Sequence, residues 1–145
     1  MNHPQTLAEK LYVQFPCLKL KSIKDYACCI FTLMWCAGID IDDAEAIITV
    51  SKMMDKGAIG QDCSVFWNSA SEYLTGRSLK VDFTDIKSIR NIKERTPVRY
   101  DFNGKSHWVG CEKGKIKFNA LEQSNCVNKG KPVTMRVLHF IGDSK

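Results

Sequence analysis

The chain has 145 residues, enough for one domain, of which 44% are hydrophobic and 26% are charged. These proportions exclude a disordered, collagen-like or coiled-coil protein. The net charge of +5 allows an acidic partner but does not require one. We therefore predict a single domain over residues 1–145.

The first two predicted helices are defined by the signals at their ends. A capping-box pattern from Thr6 to Glu9 starts the first helix, and Pro16 ends it. Asp25 is a suitable N-cap for the second helix, which runs to Gly38. Because this second helix is apolar on nearly every side, we expect it in the middle of the fold.

Two further helices are predicted before the pattern changes. Asp42 opens the third helix, and Gly57 ends it. Asp62 opens the fourth in the same way, and Gly76 ends it.

After Gly76 the pattern favours strands. The pair Asn103–Gly104 lies between two alternating segments and predicts a β-hairpin, because both residues accept the positive backbone angles of a tight turn. Residues 85–95 are predicted as a short helix or a loop. The predicted strands are Leu79–Phe83, Pro97–Phe102, His107–Cys111, Lys115–Asn119 and Pro132–Phe140. Helices followed by an antiparallel sheet predict an α+β fold in which the central buried helix packs on the sheet.

Neither a membrane segment nor a metal site is predicted. The longest near-apolar run, residues 26–39, is shorter than the roughly 20 residues that a membrane-spanning helix needs. The polar first residues do not resemble a secretion signal, so we expect a cytoplasmic protein whose seven cysteines are reduced thiols. No Cys-x-x-Cys pair occurs, and no cofactor is predicted. The Lys and Arg residues lack the interleaved aromatic residues of a single-strand binding surface, so a nucleic-acid partner is not expected.

The candidate catalytic residues are Cys28, His107 and Asn119. Counted from Asp25, Cys28 is the third residue of the central helix, where free N–H groups and the helix dipole stabilise an anion. With an imidazolium nearby, such a position lowers the pKa of a thiol to about 3.5–7.5. His107 begins a strand and supplies a base, and Asn119 ends the next predicted strand, where its amide can orient the imidazole. The alternative roles are structural: core packing for Cys28, an ordinary strand position for His107 and a turn for Asn119.

The order of these residues resembles the cysteine peptidases of the papain-like superfamily, which place a Cys at the start of a central helix and a His and an Asn or Asp on the sheet that follows. Asp25–Cys28, His107–Gly110 and Phe118–Leu121 are similar to the corresponding segments of bacteriocin-leader (double-glycine) peptidases. The resemblance implies a peptide or protein substrate that is hydrolysed through a thioester. It also implies that Cys28 is the nucleophile, His107 the general base and Asn119 the orienting residue.

A small uncharacterised family from phages and other mobile elements looks more similar still. The matching segments are Asp25–Cys28, Gly57–Val65 and Leu121–Val127, together with Gly130–Lys131 and Arg136. This resemblance implies a phage-type protein whose partner is a substrate or a host or phage protein.

Two features leave alternatives open. The leader peptidases have a Gln several residues before the Cys to bind the oxyanion, whereas Lys21–Lys24 contains none. One such donor contributes about 100- to 1000-fold in turnover, so a weakly active or inactive interaction module is the alternative to an enzyme. Asp62–Ser64 also resembles the Asp-Cys-Ser of NlpC-type cell-wall peptidases, which makes Cys63 a rival nucleophile. The alternative is a buried Cys63 beside a helix cap at Asp62.

Overall fold

The computed structural model describes residues 1–142, in which five helices precede the first strand and a short sixth helix precedes the last strand. The helices are α1 (Pro4–Gln14), α2 (Leu18–Tyr26), α3 (Cys28–Cys36), α4 (Asp43–Lys56), α5 (Trp67–Thr75) and α6 (Asn125–Lys129). The strands are β1 (Ser78–Asp85), β2 (Thr96–Phe102), β3 (Lys105–Glu112), β4 (Lys115–Phe118) and β5 (Lys131–Ile141). Residues 86–95, between β1 and β2, form a loop.

The sheet has the order β1-β5-β2-β3-β4, and every neighbouring pair is antiparallel. The last strand of the chain therefore lies between the first two. The predicted hairpin is confirmed, because Phe102 lies opposite Lys105 and the two turn residues Asn103 and Gly104 have φ angles of 50° and 76°. The α+β class predicted from the sequence is confirmed as well.

The predicted third helix is confirmed at both ends. The Asp42 carboxylate accepts a hydrogen bond from the N–H of Glu45 at 2.8 Å, which satisfies one of the free donors at the start of α4. Gly57 ends α4 in the left-handed conformation, with φ 73°. The Asp42 cap and the Gly57 end both depend only on neighbouring residues, so the folded chain forms them as the sequence predicts.

The predicted helix from Asp25 to Gly38 is in fact two helices. Asp25 lies inside α2, where its carboxylate pairs with Lys21 at 2.8 Å and with Lys24 at 2.6 Å. The helix breaks at Ala27, and α3 begins with Cys28. The prediction of Asp25 as an N-cap is therefore wrong, and Cys28 is the first residue of its helix rather than the third.

The start of the first helix also differs from the prediction. Helix α1 begins at Pro4, a residue suited to the first turn because that position needs no N–H partner. The Thr6 hydroxyl does not cap its own helix and accepts a hydrogen bond from the N–H of Glu122 at 2.8 Å. A long-range contact has replaced the local capping box.

Helix α3 occupies the centre of the larger apolar core, as predicted from its composition. Four of its apolar side chains are fully buried: Ile30, Phe31, Leu33 and Met34. Trp35 stacks on Phe118 of β4, with ring centroids 6.0 Å apart, over Gly110 of β3. This contact seats α3 against the sheet next to β3. Within residues 1–142, none of the helices has both the length and the apolar character to span a bilayer.

Candidate active site

The thiol of Cys28 lies where the start of α3 meets β3. The main-chain N–H groups of Trp108 on β3, and of Cys29 and Cys28 at the helix start, favour the charged form of the thiol and so act to lower its pKa. The residue is 8% exposed and lines a cleft of about 690 Å³. The sulfur thus lies near main-chain donors from two elements at the edge of a cavity.

A distant side chain hydrogen-bonds to the chain just before Cys28. Gln5, which is 2% exposed, donates from Nε2 to the carbonyl oxygen of Lys24 at 2.7 Å. In an unbroken helix that carbonyl would accept the N–H of Cys28, four residues later. Because the helix breaks at Ala27, the N–H groups at the start of α3 have no helical acceptor and face the site.

His107 and Asn119 are brought together by the hairpin and the strand that follows it. His107 Nε2 lies 2.7 Å from Asn119 Oδ1, and the same oxygen accepts the N–H of Leu121 at 3.0 Å. An oxygen that accepts from Leu121 needs a donor on the imidazole, so Nε2 carries the ring proton. Nδ1 is then the unprotonated nitrogen, and within residues 1–142 no hydrogen bond occupies it. The neutral ring is oriented and has one basic nitrogen available.

The loop that carries Asn119 is fastened to the first turn of α1. The N–H of Gln5 donates to the carbonyl of Ala120 at 3.0 Å, and the Thr6 hydroxyl accepts from the N–H of Glu122 at 2.8 Å. Gln5 therefore contacts both the segment before Cys28 and the segment after Asn119. The first turn of α1 positions both halves of the site.

Burial sets the protonation states of the thiol and the imidazole. Burial raises the pKa of Cys28, and the N–H groups of Trp108, Cys29 and Cys28 oppose this shift without reversing it. Burial also lowers the pKa of His107, while the hydrogen bond to Asn119 raises it. The lowered thiol pKa predicted from the sequence is therefore wrong for the free protein. At neutral pH Cys28 is therefore a thiol and His107 a neutral imidazole.

The rival thiol, Cys63, lies in a turn rather than at a helix start. Its φ is 62°, its sulfur contacts the Met54 sulfur at 4.0 Å, and burial raises its pKa to about 12. Asp62 caps this turn by accepting the N–H of Ser64 at 3.0 Å, and α5 begins only at Trp67. The prediction that Asp62 opens the fourth helix is wrong. Cys63 lines the same cleft as Cys28 but has no helix N-terminus behind its sulfur.

The sheet side of the cleft is built from two aromatic rings and an arginine. The Arg136 guanidinium lies 3.9 Å from the ring centre of Phe83 and 5.0 Å from that of Trp108. The Trp108 ring also meets Trp67 edge to face, with centroids 6.2 Å apart. Trp108 therefore connects the thiol, through its main chain, to the arginine, through its ring.

Three contributors to the site were not assigned a role from the sequence: Gln5, Trp108 and Arg136. Gln5 gives no local signal, because its function depends on a carbonyl 19 residues away. Arg136 was detectable as a cation within a predicted strand. Within residues 1–142, no group of three or more His, Cys, Asp and Glu residues is placed to hold a metal ion.

Comparison of the chain with protein-family models, with curated proteins and with solved structures finds no match. The assignment of a function therefore depends on the residues and their geometry.

Proposed function

We propose that this protein is a cysteine peptidase or amidase of the papain-like type, with Cys28 as nucleophile, His107 as general base and Asn119 as the orienting residue. The observation that carries the proposal is the 2.7 Å hydrogen bond between His107 Nε2 and Asn119 Oδ1. This bond leaves Nδ1 as the basic nitrogen of His107, which directly precedes Trp108 in the chain. Both residues lie on β3, and the main-chain N–H of Trp108 acts to lower the pKa of Cys28. A nucleophile, a base and a group that orients the base are the three parts that such catalysis needs.

The chemistry follows from the neutral state of the pair. As the sulfur of Cys28 attacks a peptide-type carbonyl carbon, its proton passes to Nδ1 of His107. The carbonyl oxygen becomes an oxyanion that the free N–H groups at the start of α3 stabilise. The imidazolium then gives its proton to the leaving amine, and a thioester remains. Water, deprotonated by His107, attacks the thioester, releases the acid and restores the thiol.

The test compares the wild type with His107→Gln. The rate at which iodoacetamide alkylates each cysteine is measured by peptide mapping in a mass spectrometer. His107→Gln removes the base but keeps a side-chain amide that can donate to Asn119. We expect this variant to alkylate Cys28 about tenfold more slowly at pH 7, because base assistance contributes about 100-fold or more in complete reactions. Cys17, which is exposed, is the control thiol within the same chain, and its rate should not change. An unchanged rate at Cys28 would contradict the proposal.

A second candidate is an inactive protein of the same fold that binds a host or phage protein in the cleft. The raised pKa of Cys28 favours this candidate, because a protonated thiol is a weak nucleophile. The two candidates differ in their response to Cys28→Ala. An enzyme loses its biological activity in this variant while it remains folded, whereas an interaction module retains it.

A further inference from the structure

We propose that the cleft beside Cys28 selects an acidic peptide segment, and that Arg136 binds a carboxylate of that segment. The inference rests on the proposed function only for the statement that the bound segment is a substrate. The charge arrangement that leads to it is independent of catalysis.

Arg136 is held in place but not neutralised. The rings of Phe83 and Trp108 lie beside its guanidinium, and its Nη1 donates to the Thr134 hydroxyl at 2.9 Å and to the Met135 carbonyl at 3.3 Å. Within residues 1–142 no carboxylate forms a salt bridge with it, and its buried Nε has no acceptor. A cation fixed on rings without a counter-ion is suited to a bidentate carboxylate from outside.

A second cavity continues from Arg136 and extends the positive surface. This cavity has a volume of about 1040 Å³ and shares Phe83 and Arg136 with the cleft beside Cys28. Its ionic lining residues are Asp85, Lys87, Arg99, Lys131 and Arg136. Four of these five side chains are cationic, and in the described part of the chain only Arg99 among them has a salt bridge, to Asp101 at 3.0 Å. Cations therefore predominate along the sheet side of the combined groove.

The like charges are close enough to affect one another. Arg99 lowers the pKa of Arg136, whereas Asp85 raises it, and burial is the largest cause of the overall lowering. Two neighbouring guanidinium groups repel each other, and an anion that binds beside them reduces this repulsion. The groove is thus complementary to a chain that carries more than one negative charge.

A peptide fits this groove better than a nucleic acid does. Stacking of bases needs open aromatic faces, and here Phe83 and Trp108 lie against the Arg136 guanidinium instead. The lining of the cleft also includes Asp25, which is paired with Lys21 and Lys24, and Asp62, which has no salt bridge within residues 1–142 and repels a phosphate backbone. A peptide can satisfy both requirements, because it can place a carboxylate at Arg136 and uncharged groups near the two aspartates.

The experiment measures binding to the full-length Cys28→Ala variant, so that catalysis does not affect the result. The probes are two fluorescein-labelled decapeptides, one of alternating Glu and Gly and one of alternating Gln and Gly, and a labelled decamer of deoxythymidine. We expect the Glu peptide to bind about tenfold more tightly than the Gln peptide, as a charge-assisted hydrogen-bonded pair provides. Arg136→Gln in the same background should abolish this difference.

Matched controls separate the site from the net charge. Arg90→Gln makes the same change of charge at an exposed residue outside both cavities and should preserve the preference. Lys131→Glu alters an exposed groove residue and should weaken binding of the Glu peptide even if Arg136→Gln fails to fold.

Four results would overturn the inference: failure of both peptides to bind, equal binding of the two peptides, the same loss in Arg90→Gln as in Arg136→Gln, or tighter binding of the deoxythymidine decamer than of the Glu peptide. The last result would identify a nucleic-acid groove. The proposed function is judged separately, by the effect of His107→Gln on Cys28 alkylation. If the Glu peptide binds as expected but His107→Gln does not slow the alkylation of Cys28, the acidic-peptide site is supported and the peptidase activity is rejected.

Discussion

Replacing Asn119 by alanine removes one oxygen that accepts two hydrogen bonds. The lost bonds are those from His107 Nε2 at 2.7 Å and from the N–H of Leu121 at 3.0 Å. His107 is 4% exposed, so its N–H is left inside the protein without an acceptor, at a cost of about 1–3 kcal/mol. Leu121 is half-buried, and water compensates part of its loss. We expect a total of about 2 kcal/mol.

This cost converts to a shift in melting temperature. For a chain of 145 residues, about 3 °C corresponds to 1 kcal/mol, so Asn119→Ala should melt about 6 °C below the wild type. The variant also loses the acceptor that keeps the proton on Nε2, so in the proposed mechanism the imidazole is no longer oriented as the base. We expect alkylation of Cys28 by iodoacetamide at pH 7 to slow about tenfold.

Thr6→Ala is the matched control. It removes the acceptor of the Glu122 N–H on the same loop but does not touch the imidazole. Both variants should lose stability, whereas only Asn119→Ala should slow the alkylation of Cys28. If Asn119→Ala lowers the melting temperature and leaves the alkylation rate within twofold of the control, Asn119 is structural and the orienting role is refuted.

Three further predictions concern stability. Gly110→Ala places a Cβ 2.5 Å from a ring carbon of Trp35. The free energy of unfolding, measured by urea titration, should therefore fall by about 1–3 kcal/mol. An unchanged value would show that the Trp35 ring moves aside freely. Gln5→Ala leaves the Lys24 carbonyl without its buried donor and should cost about 1–3 kcal/mol in the same titration, and a neutral result would contradict its role at the helix break. Burial lowers the pKa of His107, so the unfolded state binds its proton first as the pH falls, and stability is lost below about pH 6.5. His107→Gln should therefore flatten the dependence of melting temperature on pH between 7 and 5, and an identical slope in the variant and the wild type would show that another group titrates there.

The class of fold and several elements follow from local signals. The cap at Asp42, the end at Gly57 and the turn at Asn103–Gly104 are all present, because each depends on residues within one turn of the chain. The apolar composition of α3 also predicted its burial correctly. The order of the strands was not predicted, since it depends on which distant segments pair.

The errors occur where another contact, local or long-range, replaces the predicted cap. Asp25 is a good cap in isolation, but Lys21 and Lys24 hold its carboxylate inside α2. Asp62 caps a turn rather than a helix. Thr6 bonds to a loop more than a hundred residues away.

For the candidate site, the sequence by itself determined the types and order of the groups: a thiol in an apolar helix, then an imidazole and an amide on strands. Only the tertiary structure decided that His107 and Asn119 share a hydrogen bond, that Gln5 donates to the Lys24 carbonyl, and that the helix breaks just before Cys28. It also decided that burial raises the pKa of Cys28. The physical reason is that hydrogen-bond partners and desolvation depend on which distant parts of the chain surround a group, whereas caps and tight turns depend on its immediate neighbours.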